Sequence, residues 1–327
     1  MADLSTTYMG LSLANPVIVS SCGLTGTAKG IRQCVEAGAG AVVVKSLFEE
    51  QIDADVDTQR EHTELSSHPE AEEYIQQMGK HLGPSDYLTL IETAKRENQV
   101  PIIASVNCVS SEWWAEWARQ LQIAGADALE LNVAIMPRDP DLSSESIEKR
   151  YVGIVDAVRR NVSIPIAVKI GPYVTSLPSL ARALARAGAQ ALVLFNRFYQ
   201  LDIDIDKLVP APGYQFSTAT EIYQPLRWIS VLSCQVDCEL AGSTGVHSGR
   251  EAVKLLLAGA QVVQLCSTLY CNGLDRLHEI LDELTGWMDG HGFGAIHEFR
   301  GRLAKLTGQH PEAFERLQYI KALTGVD

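Results

Sequence analysis

One short phrase occurs four times in this chain of 327 residues: an amphipathic run, then Ala-Gly-Ala, then four or five apolar residues. The copies are centred on Gly38, Gly125, Gly188 and Gly259. Glycine suits the left-handed position that follows many helices, where a β-carbon would be strained. The apolar run that follows has almost no polar residue on either face, which is typical of a strand buried on both sides of a parallel sheet. The phrase therefore predicts repeated helix–strand units.

Apolar runs and 3.6-residue periodicity predict eight strands that alternate with eight helices. The strands are expected near 15–21, 41–45, 101–107, 127–132, 165–170, 190–196, 236–241 and 261–266, and the helices near 27–37, 85–97, 111–124, 144–160, 176–188, 218–230, 248–258 and 272–288. This order favours an α/β fold, a (β/α)8 TIM barrel, which takes ~250 residues. A doubly wound sheet is the alternative, but no Gly-x-Gly-x-x-Gly follows the first strand. We assign 1–293 to the barrel and 294–327 to a C-terminal helical extension packed on it.

Composition excludes several classes of partner. The net charge of −13 and the lack of a basic run argue against nucleic acid. No apolar stretch approaches the ~18 residues that span a bilayer, and the N-terminus does not resemble a signal peptide. The seven cysteines complete no zinc or iron–sulfur pattern. We therefore expect a cytoplasmic protein with reduced thiols, no metal, no membrane partner and a small-molecule substrate.

Polar and small residues gather where the predicted strands end, which in TIM barrels is the end that holds the active site. They are Ser20, Ser21, Lys45, Ser46, Asn107, Asn132, Lys169, Asn196, Arg197, Thr244, Gly245, Cys266 and Ser267. Lys45 and Lys169 directly follow apolar strands, where an unpaired ammonium is costly to bury. They imply an anion or a strong acceptor in the mouth of the barrel. The asparagines offer a donor and an acceptor to the edge of a heterocycle.

The turns after the seventh and eighth strands are rich in small residues and expose backbone N–H groups, which often bind phosphate in such barrels. Each feature has an ordinary explanation as well. A strand-end lysine is as often a salt-bridge partner, and an asparagine there is more often a turn former. The combination on one rim favours a phosphate-bearing heterocyclic cofactor.

These residues resemble the dihydroorotate dehydrogenase family of flavin (FMN) enzymes. The matching stretches are Asn15–Ser21, Val43–Ser46, Glu130–Asn132, Pro165–Lys169, Phe195–Asn196, Ser243–Gly249 and Leu257–Ser267. The resemblance implies FMN as the cofactor, bound by all the rim residues named above except Arg197. It places Lys169 beside the N1/C2 edge of the isoalloxazine, and Thr244, Gly245, Cys266 and Ser267 around the phosphate. It also implies a homodimer.

The same resemblance implies that Lys45 and Asn132 are catalytic and that Lys45, Asn132, Asn196 and Arg197 face the substrate. The chain departs from the family at its general base. The family has Ser or Cys three residues after the Asn of Glu-Leu-Asn, and this chain has Ile135 there and Pro137 two residues later. The candidate replacement bases are His68, Cys108, Asp139 and Tyr199. Arg138 and Arg197 are candidates for holding a carboxylate bidentately, or are ordinary exposed arginines.

The sequence thus predicts an FMN oxidoreductase that acts on a C–C bond of a small cyclic substrate. Dihydroorotate, which the family oxidises to orotate in pyrimidine biosynthesis, is the first candidate. One alternative is a flavin-binding barrel with little turnover, because Ile135 cannot take a proton. Another is an aldolase that forms a Schiff base on Lys45 or Lys169.

Overall fold

The computed structural model describes residues 2–48, 84–108, 114–197, 200–213, 215–307 and 311–325. Its strands are β1 (Thr6–Tyr8), β2 (Leu11–Leu13), β3 (Val17–Val19), β4 (Ala41–Val43), β5 (Leu47–Phe48), β6 (Ile102–Cys108), β7 (Ala128–Val133), β8 (Ile166–Ile170), β9 (Ala191–Leu194), β10 (Gln200–Asp204), β11 (Val209–Gly213), β12 (Glu239–Ser243) and β13 (Val262–Leu265).

The helices alternate with the barrel strands, as the sequence predicts. They are α1 (Ala28–Glu36), α2 (Pro84–Glu97), α3 (Trp114–Ile123), α4 (Ser144–Arg159), α5 (Leu177–Arg186), α6 (Tyr223–Leu232), α7 (Gly249–Ala258), α8 (Ser267–Asn272), α9 (Arg276–His291), α10 (Arg302–Thr307) and α11 (Pro311–Thr324), with short 3₁₀ helices at Gly23–Thr25, Ala219–Ile222 and Ile296–Glu298.

Eight parallel strands close into a barrel. Their order is β3-β4-β6-β7-β8-β9-β12-β13, and the pairing of β13 with β3 returns the sheet to its start. The short strand β5 adds to β6 beyond the end of β4. The TIM-barrel prediction is confirmed. The expected strand ends therefore do meet at one end of the molecule.

The repeated Ala-Gly-Ala phrase joins a helix to a strand, as the sequence predicts. Gly38, Gly125, Gly188 and Gly259 have φ values of +95°, +97°, +107° and +115°. Each follows a helix and precedes a barrel strand. Because L-residues rarely adopt this conformation, glycine lets the chain turn from helix into strand within a few residues.

A hairpin that the sequence analysis did not predict packs against the inside of the barrel. Strands β1 and β2 pair antiparallel, and Tyr8, Met9 and Leu13 join an apolar cluster with strand residues such as Ile18 and Val193. The backbone N–H of Met9 donates to the carboxylate of Glu239, the first residue of β12. The hairpin therefore lies at the N-terminal end of the barrel, and the polar rim is at the opposite end.

The chain after α9 packs on the outside of the barrel. Ile296 and Phe299 share a buried apolar cluster with Leu256 of α7 and Met288 of α9. The backbone N–H of Gly301 donates to the Leu256 carbonyl at 2.9 Å. The division of the chain between 293 and 294 stays a prediction. Within the described part of the chain, no helix has both the length and the apolar character needed to cross a membrane.

Candidate active site

A cavity that opens to solvent lies at the C-terminal ends of β3, β8, β9, β12 and β13. Its walls are Ser20, Ser21, Lys169, Phe195, Asn196, Arg197, Ser217, Ser243, Thr244, Gly245, Val246, Gln264, Cys266 and Ser267. Most of these walls are residues predicted from the sequence. We call these five strand ends the binding arc, and the ends of β4, β6 and β7 the opposite arc.

The floor of the cavity carries a buried ammonium with three acceptors. Lys169 Nζ lies 2.9 Å from Ser20 Oγ and 3.1 Å from Gln264 Oε1. It is also 3.6 Å from Glu130 Oε1. Lys169 is only 6% exposed and Glu130 1%. The sequence analysis predicts an anion or a strong acceptor beside the Lys169 ammonium. The protein itself supplies part of it, through Ser20, Gln264 and Glu130.

Two residues of this cluster were not among the predicted site residues. Gln264 Nε2 donates to Glu130 Oε2 at 2.6 Å, and Ser20 Oγ donates to Gln264 Oε1 at 3.0 Å. Glu130 lies between the buried apolar residues Leu129 and Leu131 of β7, and Gln264 lies between Val263 and Leu265 of β13. A polar side chain in a strand buried on both faces needs a partner inside the protein, and that signal would have identified both.

The turn after β12 forms a cradle of backbone N–H groups. Thr244 and Gly245 have φ values of +77° and +78°, and the Thr244 hydroxyl donates to the Phe195 carbonyl at 3.1 Å. A β-carbon on Gly245 would lie 2.3 Å from the backbone nitrogen of Ile222, so only glycine fits there. Successive N–H groups in such turns make concave sites for anions.

Three strands bring polar side chains to one level of the barrel. Asn107 pairs in register with Asn132, and Asn132 pairs in register with Lys169. Asn196 Nδ2 donates to Asn132 Oδ1 at 2.9 Å. Residues in register on neighbouring parallel strands point to the same face, so these amides and the ammonium share the top of the barrel.

The side chain of Lys45 is exposed to solvent at the rim of the barrel, shortly after β4. Its aliphatic part runs beside Gly26 of the neighbouring loop. Lys45 is not among the walls of the cavity that the described residues form, and its role in the site stays a prediction. Its neighbour Ser46 hydrogen-bonds to Ser21 Oγ and Ser105 Oγ, at 2.9 and 2.8 Å.

The arginine predicted to hold a substrate carboxylate is engaged within the protein. Arg197 Nε lies 2.9 Å from Glu221 Oε2, and its Nη1 donates to the Gln215 carbonyl at 2.6 Å. Arg197 still forms part of the cavity wall. The second candidate, Arg138, is exposed, as is Asp139, whose carboxylate accepts the backbone N–H of Asp141.

The residue at the position of the family's general base faces the protein core. Ile135 is 6% exposed and packs in the main apolar cluster, and its backbone N–H binds the Tyr151 hydroxyl. Burial raises the pKa of Tyr151 above its ordinary value. Of the other candidate bases, His68, Tyr199 and the side chain of Cys108 lie outside the described residues.

Two thiols lie against each other at the rim of the binding arc. The hydrogen bond from the Cys266 thiol, with smaller contributions from the backbone of Leu24 and Thr25, lowers the pKa of Cys22 to about 7. The same contact and burial raise the pKa of Cys266. Burial and the nearby thiols raise the pKa of Tyr270 to about 12.

The family model for dihydroorotate dehydrogenase matches residues 3–288. The chain belongs to the dihydroorotate dehydrogenase family. It is similar to the catalytic subunit of dihydroorotate dehydrogenase B (NAD(+)) from Thermoplasma acidophilum, with 27% identity over 318 residues, 92% of this chain and 99% of the relative. The same subunit from Methanosarcina acetivorans is 30% identical over 300 residues, covering 89% and 93%.

A relative of another name matches as widely. The chloroplastic dihydropyrimidine dehydrogenase (NADP(+)) of Arabidopsis thaliana is 23% identical over 348 residues, 96% of this chain and 80% of the relative. The family resemblance stated from the sequence is confirmed, and with it the class of an oxidoreductase that resembles dihydroorotate dehydrogenase.

Proposed function

We propose that this chain is an FMN-dependent oxidoreductase that acts on a C–C bond of a small cyclic substrate, with dihydroorotate as the first candidate. The observation that carries the proposal is the cavity of the binding arc. It combines a buried ammonium at its floor, Lys169, with a cradle of backbone N–H groups at its side, Thr244 and Gly245. An anionic group and an electron-rich ring edge on one ligand would satisfy both.

The donor set fits FMN at both of its ends. Gly245 has no side chain to cover its backbone N–H, and Cys266 and Ser267 line the same cavity, so these residues would hold the phosphate. Lys169 would face the pyrimidine edge of the isoalloxazine from the floor. When bound, FMN would supply the two-electron chemistry, because it accepts or donates hydride at N5.

The protein's own residues would supply charge and orientation. Lys169 would stabilise negative charge on the ring system by electrostatic attraction in a water-poor site. Asn132 and Asn196 orient each other through their hydrogen bond. That bond leaves the Asn132 amide N–H and the Asn196 amide oxygen for a ligand. Lys45, exposed at the rim, would reach a substrate only from above the cavity.

Proton transfer limits the rate expected for dihydroorotate. General bases contribute about 10²–10⁴ in rate, and Ile135 accepts no proton. Dihydroorotate oxidation by this chain would therefore depend on another base, and we expect it to be slower by about that factor than in family members with Ser or Cys there. The similarity to dihydropyrimidine dehydrogenase makes dihydropyrimidines the second substrates to test.

The absorbance spectrum of the purified protein tests the cofactor. We expect a yellow protein, or one that turns yellow with added FMN and keeps it through gel filtration. A colourless protein that ignores FMN would refute the proposal. Anaerobic bleaching of the bound flavin by dihydroorotate, dihydrouracil and dihydrothymine then identifies the substrate class.

The alternatives give different results in the same experiments. A flavin-binding barrel with little turnover, which the apolar Ile135 favours, would be yellow and would resist bleaching by every substrate in the panel. A Schiff-base enzyme would form an adduct on Lys45 or Lys169 when treated with borohydride and a carbonyl compound, and mass spectrometry of the peptides would locate it.

We extend the proposal to a homodimer, which the resemblance implies. The β10–β11 hairpin is antiparallel and exposes apolar side chains. These are Leu201, Ile203, Ile205, Leu208 and Val209. Clustered exposed apolar residues mark interaction surfaces. Sedimentation of the wild type against Leu201→Ser/Ile203→Ser tests this: a dimer that becomes monomeric in the variant is expected, and a monomeric wild type would refute it.

A further inference from the structure

A buried carboxylate lies directly below the ammonium of the cavity floor. Glu130 Oε2 accepts the Gln264 amide at 2.6 Å. Glu130 Oε1 has no hydrogen-bond partner within the described residues, and Lys169 Nζ is 3.6 Å away. Among the described residues, the attraction of the Lys169 ammonium is therefore the main interaction of that oxygen. An unpaired buried carboxylate would be very costly.

The side chains that hydrogen-bond to this pair are neutral. Ser20 and Gln264 carry no charge, and the buried phenols Tyr8 and Tyr87 have pKa values raised by burial and by the negative charge of Glu130. The guanidinium of Arg197, at the cavity wall, is paired with Glu221. Lys169 and Glu130 thus form a buried pair of net charge zero at the floor.

We propose that Glu130 is a positioning residue that holds the Lys169 ammonium at the cavity floor and, by offsetting its charge, sets how strongly the floor stabilises negative charge on a bound flavin. The flavin part of this proposal rests on the proposed function. Glu130 sits one layer below the cavity, since Lys169 lines the cavity and Glu130 does not. Its effect on a ligand would therefore pass through Lys169.

The sign of the effect follows from the charges. Glu130→Gln removes the negative charge and keeps the shape of the side chain, so the Lys169 charge is no longer offset. Reduction of the flavin adds negative charge, which the uncompensated ammonium favours. The reduction potential of bound FMN should therefore rise, and Glu130→Asp, which keeps the charge, should stay close to wild type.

The first measurement is the reduction potential of bound FMN by dye-coupled anaerobic reduction. For Glu130→Gln we expect at least about a tenfold shift toward reduced flavin at a fixed potential, which equals about 30 mV for a two-electron couple. The matched control is Glu239→Gln. Glu239 is a partly buried carboxylate at the N-terminal end of the barrel. We expect its loss to change the ratio of reduced to oxidised flavin at a fixed potential by less than twofold. An unchanged or lower potential in Glu130→Gln would overturn the positioning role.

The second measurement needs no flavin. Urea unfolding of the protein without added FMN compares Glu130→Gln, Lys169→Gln and the double variant. Each single change leaves a buried charge alone and should destabilise strongly, and the double change should cost much less than the sum. Additive costs would refute the pairing itself. A colourless wild type with strong coupling would refute the proposed cofactor and the potential-setting role while retaining the pairing.

Discussion

The two arcs of the barrel mouth differ in what satisfies their polar groups. On the binding arc, Lys169, Thr244 and Gly245 line one cavity. On the opposite arc, Ser46 is hydrogen-bonded to Ser21 and Ser105. We propose that an anion of the ligand completes the cradle after β12, whereas the hydroxyl of Ser46 is already hydrogen-bonded within the protein.

The difference separates two parts of the proposed reaction. We propose that cofactor binding depends on the binding arc, which the fold builds from small residues and buried polar pairs. We propose that the choice of reaction depends on the opposite arc, where Ile135, at the position that the family resemblance assigns to a general base, is packed in the core. A chain can therefore keep the family's cofactor chemistry while its substrate changes.

The largest expected effect comes from filling the cradle. Gly245→Ala would place a β-carbon against the backbone of Ile222 and displace N–H donors to the phosphate. A lost hydrogen bond to a charged group costs about 1.5–3 kcal/mol, so we expect FMN affinity to fall by about 10–100-fold. Fluorescence titration of apoprotein with FMN measures it.

The matched control for that change is Gly292→Ala. Gly292 has a similar φ of +71°, and a β-carbon there would meet nothing within 4 Å. The left-handed conformation alone costs about 1–2 kcal/mol of stability, without touching the cavity. If both variants lost FMN equally, the cradle would not be the phosphate site.

The comparison of arcs also explains what the sequence could and could not predict. The barrel and its rim follow from local chemistry: Gly259 ends a helix and the apolar run after it enters the sheet. The orientation of Lys45 does not follow from local chemistry, because a lysine after a strand has a flexible stem that lets its ammonium remain in solvent. The partners of Lys169 lie far away along the chain, Glu130 39 residues before it and Gln264 95 residues after it, and no local pattern pairs them.

The next expected effect restores a proton acceptor on the opposite arc. Ile135→Cys places there the residue type that the family resemblance implies. We expect anaerobic flavin bleaching by dihydroorotate to become at least about tenfold faster, within the range of general-base catalysis. Stopped-flow absorbance measures the rate.

The control is Ile135→Val, which also removes volume from the core and should cost about 0.5–1.5 kcal/mol of stability without a rate increase. If Ile135→Cys bound flavin normally and bleached no faster, position 135 would not serve as the site of a general base for dihydroorotate in this chain.

A smaller effect is expected from the hydrogen bonds between Tyr87 and Ser105, which lie within the protein beside the opposite arc. The Tyr87 hydroxyl donates to the Ser105 carbonyl at 2.8 Å and accepts its N–H at 3.0 Å. Tyr87→Phe leaves buried groups of β6 unpaired and should cost about 1–3 kcal/mol in urea unfolding. FMN affinity should change less than twofold. The control Tyr223→Phe alters an exposed tyrosine and should change neither; a large loss of FMN in Tyr87→Phe would mean that the arcs are coupled.

The smallest effect concerns the thiols at the rim of the binding arc. A thiol reacts as its thiolate, so Cys22, with a pKa of about 7, should be alkylated by iodoacetamide with a rate that rises through neutral pH.

Cys266→Ala removes the hydrogen bond that lowers this pKa, so the midpoint should move toward 9, the ordinary value, and the rate at pH 7 should fall several-fold. Mass spectrometry of the labelled peptides follows both, with exposed Cys271 as the internal reference. Bound FMN should slow labelling of Cys22 and leave that of Cys271 unchanged, because Cys22 contacts the cavity residue Cys266 and Cys271 is not among the walls of the cavity formed by the described residues. If FMN protected Cys271 as strongly as Cys22, FMN would not be bound specifically at the binding arc.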